Sequence, residues 1–353
     1  MTSQSATPPD EEQPKGPTAP ATSAEQAVLD AAQDVVEEAA GSEPLAQAEP
    51  AMDALDNPRR LLLVHAHPDD ETIQNGATMA HYAASGAAVT LVTCTRGELG
   101  EVIPTDLAHL EGDGEALAEI RTAELAAAME ALGVGDHRFL GSDAGVTFHD
   151  SGMVYDDEGR AVAPPDMHSG AFAHVPVDEA AAHLVRVLRQ VRPQVLITYD
   201  PDGGYGHPDH VQAHRVAMRA VELAAEAGYG AGEPWHVSKV YWTAAPAEQT
   251  VEWLREAKRA GVQSLDPEGP LPSVMVPASE ISAVVEADEQ LPAKVAALRA
   301  HATQVVVHEK TMSLSNGMHS PLTGTEYYRL AVGKRAASEG ELETDLFAGI
   351  PSA

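Results

Sequence analysis

The sequence predicts an α/β fold, a Rossmann-like, mostly parallel sheet with flanking helices, followed by a smaller C-terminal α+β portion. Three observations carry this. The runs 61–64 (LLLV), 88–94 (AVTLVTC) and 194–199 (QVLITY) are short and rich in aliphatic or β-branched residues, as in strands buried on both faces. The segments after them carry apolar residues at helical spacing. The first strand, helix and strand together span about 35 residues, the length of a βαβ unit, which implies a parallel pair and a right-handed crossover.

The elements follow in order. Residues 72–85 place Ile73, Ala77, Met79, Ala80 and Ala83 on a helix, and Gly86 is its C-cap. Residues 115–132 are Ala-rich and helical, ending at Gly133, and 138–141 reads as a short strand. From about 143 to 176 the chain is rich in Gly, Asp, Pro and His without periodicity; so long a loop in a compact domain is usually functional. Helix 177–191 is closed by Arg192-Pro193, and after strand 194–199 Pro208 suits the first turn of a helix that continues over 211–227. A strand over 237–242, a helix over 246–261 and a further helix over 291–302 complete the pattern, and no internal repeat is present.

The expected organisation is one domain over 57–335, its part from about 235 forming the smaller subdomain, with 336–353 as a loosely ordered tail. Residues 1–56 are Ala, Pro, Glu, Ser and Thr, with acids set against the lone Lys15. Such a segment buries too little apolar surface to offset its ordering entropy and is expected to be a disordered acidic tail.

A formal charge of −32 excludes phosphate-backbone binding as a main function, since that needs clustered Lys and Arg. The single cysteine, Cys94, rules out an intramolecular disulfide and a cysteine-rich zinc site. No run approaches 18 apolar residues, and no basic segment followed by an apolar one opens the chain. The expectation is therefore a cytoplasmic protein without nucleic-acid or membrane partners.

Two of the strands end in chemistry. The first breaks into His65-Ala66-His67-Pro68-Asp69-Asp70-Glu71, the other into Asp200-Pro201-Asp202-Gly203-Gly204-Tyr205-Gly206-His207-Pro208-Asp209-His210. Ligands bind at the carboxyl ends of strands in open α/β sheets, so both clusters can face one crevice. Three consecutive acids repel one another unless a cation is near. His67, Asp70, His207 and His210 offer nitrogen and oxygen donors, with Asp69 and Asp209 alongside. Two histidines and a carboxylate with an open position are the usual make-up of a catalytic zinc site. An adjacent carboxylate outside the ligand set can then accept a proton from the attacking water. His65 reads as structural, Asp200 and Asp202 as turn formers, Cys94 as an apolar filler, and Glu71 either as a helix-start charge or as support for a ligand.

The run 66–71 (AHPDDE), the turn Thr95-Arg96-Gly97-Glu98 and the run 206–210 (GHPDH) resemble the LmbE-like (PIG-L) family of zinc-dependent N-deacetylases over residues 59–335. The runs 150–153 (DSGM), 314–317 (LSNG) and 321–327 (PLTGTEY) resemble in particular its branch acting on N-acetyl-glucosaminyl-inositol in mycothiol biosynthesis. The resemblance implies one Zn2+ per subunit, or Fe2+ in its place, bound by His67, Asp70 and His210. It further implies Asp69 as general base, His207 polarising the acetyl carbonyl or protonating the leaving amine, Asp209 orienting an imidazole, and Tyr205 supporting the oxyanion. Glu101, Arg121, Asp150 and Met153 match positions that bind the sugar and inositol hydroxyls, so the expected partner is a small pseudo-disaccharide. Alternatives are a mycothiol S-conjugate amidase, a chitooligosaccharide or antibiotic-precursor deacetylase, and a non-catalytic sugar- or nucleotide-binding module on the same fold. The amidase pattern implies a lysine shortly after the acidic motif, where this chain has Thr72-Ile73-Gln74-Asn75-Gly76.

Overall fold

β1 (Arg60–His65) sits mid-sheet and sends alternate side chains to opposite faces, as the pleat requires. The computed structural model describes residues 59–351 apart from 159 and 339, so the acidic tail expected over 1–56 lies outside the described residues. Leu62 and Val64 enter one apolar cluster together with Leu184 of α3 (Val177–Val191) and Val216 of α4 (Pro208–Ala225). Leu61 and Leu63 enter the other, with Met79 of α1 (Asp70–Ala84), Leu125 of α2 (Gly114–Ala131) and Ala297 of α6 (Leu291–Ala300). Helices on both faces explain why the sequence of β1 is a continuous apolar run rather than an alternating one.

The remaining strands of this sheet are β2 (Ala88–Thr93), β3 (Asp136–Phe139), β4 (Val195–Thr198), β5 (Lys239–Pro246), β6 (Met275–Val276), β7 (Ala283–Glu286) and β8 (Thr325–Val332). Their order is β3-β2-β1-β4-β5-β8-β7, with β6 on the end of β5. All pairs are parallel except those of β8, which runs antiparallel to both neighbours. Chain order therefore reverses between β1 and β4, and a crevice opens at their carboxyl ends.

Local chemistry sets the helix starts. Asp113 caps α2 by accepting the N–H of Ala116 at 3.2 Å. Pro208 opens α4 where its missing N–H goes unused, and His207 before it accepts the N–H of Asp209 at 3.1 Å. α1 begins with Asp70 and Glu71 in its first turn and is followed by Gly86 at φ +83. The interior of α5 (Ala247–Ala260) matches its expected span.

Three features differ from the sequence reading. The strand expected over 138–141 begins at Asp136. The part from about 235, expected as a smaller α+β portion, extends the central sheet instead, because β5 pairs in parallel with β4 and β8 adds to β5. Within the expected loose tail, Glu343 takes the Lys239 ammonium at 2.7 Å and the Tyr241 hydroxyl at 2.6 Å, while Leu346 and Phe347 are buried in the cluster around α1. The strand pattern of an apolar run hides such anchoring, since one polar partner and two apolar side chains suffice. The long 143–176 loop carries a short hairpin that pairs Val154-Tyr155 with Ala161-Val162.

Candidate active site

The stretch leaving β1 and the stretch leaving β4 meet at the crevice. Asp70 Oδ2 lies 3.3 Å from His67 Nδ1 and 3.2 Å from His210 Nε2. The protein fixes which nitrogen of each ring is free. His210 Nδ1 lies 3.1 Å from the Gly203 carbonyl, so it carries the proton and Nε2 keeps its lone pair. Nε2 is buried with no hydrogen-bond partner among the described residues. A lone pair and a carboxylate oxygen at 3.2 Å repel unless a proton or a cation lies between them. Ligands about 2.0–2.2 Å from a tetrahedral zinc are roughly 3.3 Å apart, so the spacing fits a cation of that size.

The other side of His67 is braced. Its Nε2 lies 3.2 Å from Asp209 Oδ2, and that oxygen also accepts the Ser151 N–H at 2.9 Å while the Ser151 hydroxyl donates to Oδ1. Asp209 is fully buried, and a carboxylate behind a ligating imidazole fixes its tautomer and raises its basicity. Burial lowers the His67 pKa, but the carboxylates of Asp150, Asp209 and Asp70 outweigh it and hold the ring well above its ordinary value. Burial raises the Asp70 pKa, but the charge of His210 and then of His67, in the form where a proton rather than a cation lies between ring and carboxylate, outweighs it and holds the carboxyl well below the usual range.

His67, His207 and His210 also bring ring nitrogens within 4.8 Å of one another, which raises His207 as a ligand. Its Nδ1 accepts the N–H of Asp209, however, so Nε2 carries the proton and has no lone pair to give. Burial, then the charges of His67 and His210, push its pKa down to about 2, leaving a neutral N–H donor. His67, Asp150 and Asp209 likewise bring a ring nitrogen and two carboxylate oxygens within 4.8 Å of one another, Asp209 being the brace just described.

Asp69 is set apart from Asp70 by its backbone. It has φ 133 and ψ −35, and Asp69 and Arg192 are the non-glycine residues at positive φ among those described. Such conformations cost about 1–3 kcal/mol and persist only when surroundings impose them. Burial, then the charge of Asp70, raises the Asp69 pKa to about 8 in the cation-free site, and a cation held by Asp70 would work against that rise. The Asp69 N–H goes to Glu71 Oε2 at 3.0 Å, and no hydrogen bond of the described residues engages its carboxyl.

Tyr205 is 45% exposed, with its ring edge-on to His210 at 5.0 Å between centroids. Asp150 is buried near the same histidines: Oδ1 accepts the Gly152 N–H at 2.8 Å and lies 3.7 Å from His67 Nε2. Met153 is half-buried beyond it and Glu101 is exposed. Arg121 is only 3% exposed and turns inward, donating to the carbonyls of Gly97 and Glu101, so its guanidinium ties the 97–101 turn.

Several residues of the site have no role legible in the sequence, even where a quoted motif contains them. Ser151 is one; Tyr199 is another, stacked on His210 at 4.3 Å with its hydroxyl accepting the N–H of Ala66. His65 is buried between Tyr199 and Asn75, its Nε2 2.9 Å from Asn75 Oδ1. Asp200 forms the turn expected of it, accepting the Asp202 N–H at 2.7 Å and the Ser273 hydroxyl at 3.0 Å. Gly203 at φ +68 lets that turn close: a Cβ there would meet His210 Cβ at 2.7 Å.

The profile of the family described as PIG-L, GlcNAc-PI de-N-acetylase, matches residues 62–221. A protein of Kineococcus radiotolerans named 1D-myo-inositol 2-acetamido-2-deoxy-alpha-D-glucopyranoside deacetylase is 51% identical over 352 residues, 96% of each chain. Its namesake from Streptomyces griseus subsp. griseus is 54% identical over 84% of this chain and 90% of the relative. Among solved structures, N,N'-diacetylchitobiose deacetylase from Pyrococcus horikoshii is 18% identical over 80% of each chain, with a TM-score of 0.47.

Proposed function

This chain belongs to the PIG-L family of de-N-acetylases, and from that premise we propose that it hydrolyses the acetamide of an N-acetyl-glucosaminyl-inositol in mycothiol biosynthesis. The products are acetate and glucosaminyl-inositol. The observation that carries the substrate is the 51% identity over 96% of both chains to a relative named for that reaction.

His67 through Nδ1, Asp70 through Oδ2 and His210 through Nε2 are the residues that would hold zinc, or Fe2+ in its place. The support is the unpartnered His210 Nε2 and the 3.2–3.3 Å spacing about Asp70. A cation bound there supplies Lewis acidity, bringing the pKa of water towards 7 and polarising the acetyl carbonyl.

The chain's own residues do the rest. Asp69 takes the proton of the attacking water and passes it to the leaving nitrogen as the C–N bond breaks, a role that suits a carboxyl with no other partner. His207 presents a neutral Nε2–H to the developing oxyanion, and Tyr205 adds its hydroxyl. Asp209 holds His67 by its Nε2–H. Glu101, Asp150 and Met153 line the sugar and inositol side, and Arg121 contributes through the turn it ties.

The test is amine release from N-acetyl-glucosaminyl-inositol by the zinc-loaded full chain, run beside a mycothiol conjugate. Asp69→Asn should keep one zinc per chain and lose about 10²–10⁴-fold in rate. Turnover of the conjugate alone would overturn the substrate, and a wild-type rate for Asp69→Asn would overturn the base.

A further inference from the structure

We propose that Glu71, His301 and Gln304 form a clamp that positions Asp69 by gripping both polar groups of the Pro68–Asp69 peptide. The inference rests on the reading of Asp69 as the base. The N–H of that peptide donates to Glu71 Oε2 at 3.0 Å, and its carbonyl accepts from Gln304 Nε2. With donor and acceptor both engaged, the peptide plane cannot rotate, and rotation of this plane is what would relax the positive φ of Asp69.

The clamp is itself fixed. Glu71 Oε1 accepts the Thr72 hydroxyl at 2.6 Å and lies 3.0 Å from His301 Nε2. Glu71 and His301 are both fully buried. The 3.0 Å contact and full burial on both sides leave neither group another position. Thr303, between His301 and Gln304, gives its N–H and hydroxyl to Glu124 of α2 at 2.8 and 2.7 Å.

A helix-capping role for Glu71 accounts for its bond to the Asp69 N–H and for nothing else. It gives no reason for a histidine from beyond α6 to hold the Glu71 carboxylate and a glutamine three residues later to reach the Pro68 carbonyl, some 230 residues away along the chain. Both residues lie outside the 62–221 stretch that matches the family profile. The adjacent acids thereby do different work: Asp70 faces the two histidines, and Asp69 is held in the one backbone state that leaves its carboxyl free.

A double-mutant design tests this in the zinc-loaded full chain. Gln304→Met is nearly isosteric and cannot donate; His301→Ala removes the partner of Glu71. Each should lower kcat about 10²-fold with KM little changed, the scale expected when a reacting group is displaced by about 1 Å. His301→Gln, which still offers an N–H, should recover most of the rate. In the Asp69→Asn background the same substitutions should cost nothing further, because a positioning residue acts only through the group it positions. Equal losses in both backgrounds, or an unchanged kcat for Gln304→Met, would overturn the clamp. If His301→Ala does not fold, Gln304→Met and His301→Gln decide. Amide exchange at Asp69 should quicken in Gln304→Met at unchanged zinc content; this readout stands even if Asp69→Asn were to show that the base lies elsewhere, and unchanged exchange would sink the proposal.

Discussion

Replacing Asp209 by Asn removes a charge while keeping the shape of the side chain. In the native site this carboxylate takes the Ser151 N–H at 2.9 Å, the Ser151 hydroxyl, and the His67 Nε2–H at 3.2 Å. In the variant the remaining carbonyl can occupy the Oδ2 place, and the Ser151 hydroxyl can turn to accept from the new amide. The bonds survive, and what is lost is charge assistance. A hydrogen bond to an ionised partner contributes about 1.5–3 kcal/mol against about 1 for a neutral one. A cation on Nδ1 makes the Nε2–H of His67 more acidic, so the loss falls mainly on the cation-bound state. Zinc affinity should therefore drop about 10–100-fold, the usual effect of removing a carboxylate behind a ligating histidine. A competition titration against a chromophoric chelator measures it. Asp209→Ala is harsher, since it leaves two buried N–H groups without acceptors at roughly 1–3 kcal/mol each. Wild-type zinc affinity in Asp209→Asn would show that the brace does not act through the ligand.

The carboxylates of Asp150, Asp209 and Asp70, working against burial, hold the His67 pKa well above its ordinary 6.5. Protons therefore compete with zinc for this ring, and chelator titrations at descending pH should show affinity falling from well above 6.5 downward; a flat profile would remove His67 from the ligand set. Burial pushes the Glu343 carboxyl up, but the Ala336 N–H, Lys239 and the Tyr241 hydroxyl bring it below its ordinary 4.5. A depressed carboxyl contributes stability above 4.5 that is lost as pH falls through the folded value, so the Tm gap between wild type and Glu343→Gln should narrow in acid. At neutral pH the variant leaves Lys239 buried without its counter-charge, a loss of about 3–5 kcal/mol by urea denaturation. Arg121→Met deprives the Gly97 and Glu101 carbonyls of their donor. It should cost about 2–4 kcal/mol of stability; an unchanged urea midpoint with raised KM would return Arg121 to direct substrate contact.

The part of the site written in consecutive residues could be read from the sequence, and the part assembled across the fold could not. His67, Asp69 and Asp70 follow one apolar run, His207, Asp209 and His210 another, and both runs lie on neighbouring central strands. The period of the apolar residues announced those strands and the helices between them. Arg121 was legible as a charged residue near the site, but not that its guanidinium would turn to two backbone carbonyls, because burial is decided by the packing of α2. Ser151 and Gln304 are ordinary polar residues until the fold sets them against Asp209 and Pro68. His301 sits at the end of an Ala-rich helix with no acid beside it in sequence. The anchoring of residues 343–347 escaped for a similar reason: Glu343 is unremarkable until Lys239 is buried opposite it.

The last strand of the sheet has a consequence for how the chain comes into being. β8 runs between β5 and β7, and the Leu346-Phe347 pair covers the flank of α1 at Tyr82, whose hydroxyl donates to Asp345 at 3.0 Å. On the ribosome, β1, α1 and both halves of the crevice emerge long before these pieces exist. Until they do, β5 presents an open edge and Tyr82 an uncovered ring, so the nascent chain waits with its reactive loops already made but not yet supported. Completion of the sheet is a late event in synthesis, and a ribosome that stalls before residue 325 leaves a chain with an unpaired strand edge, prone to associate with its own kind.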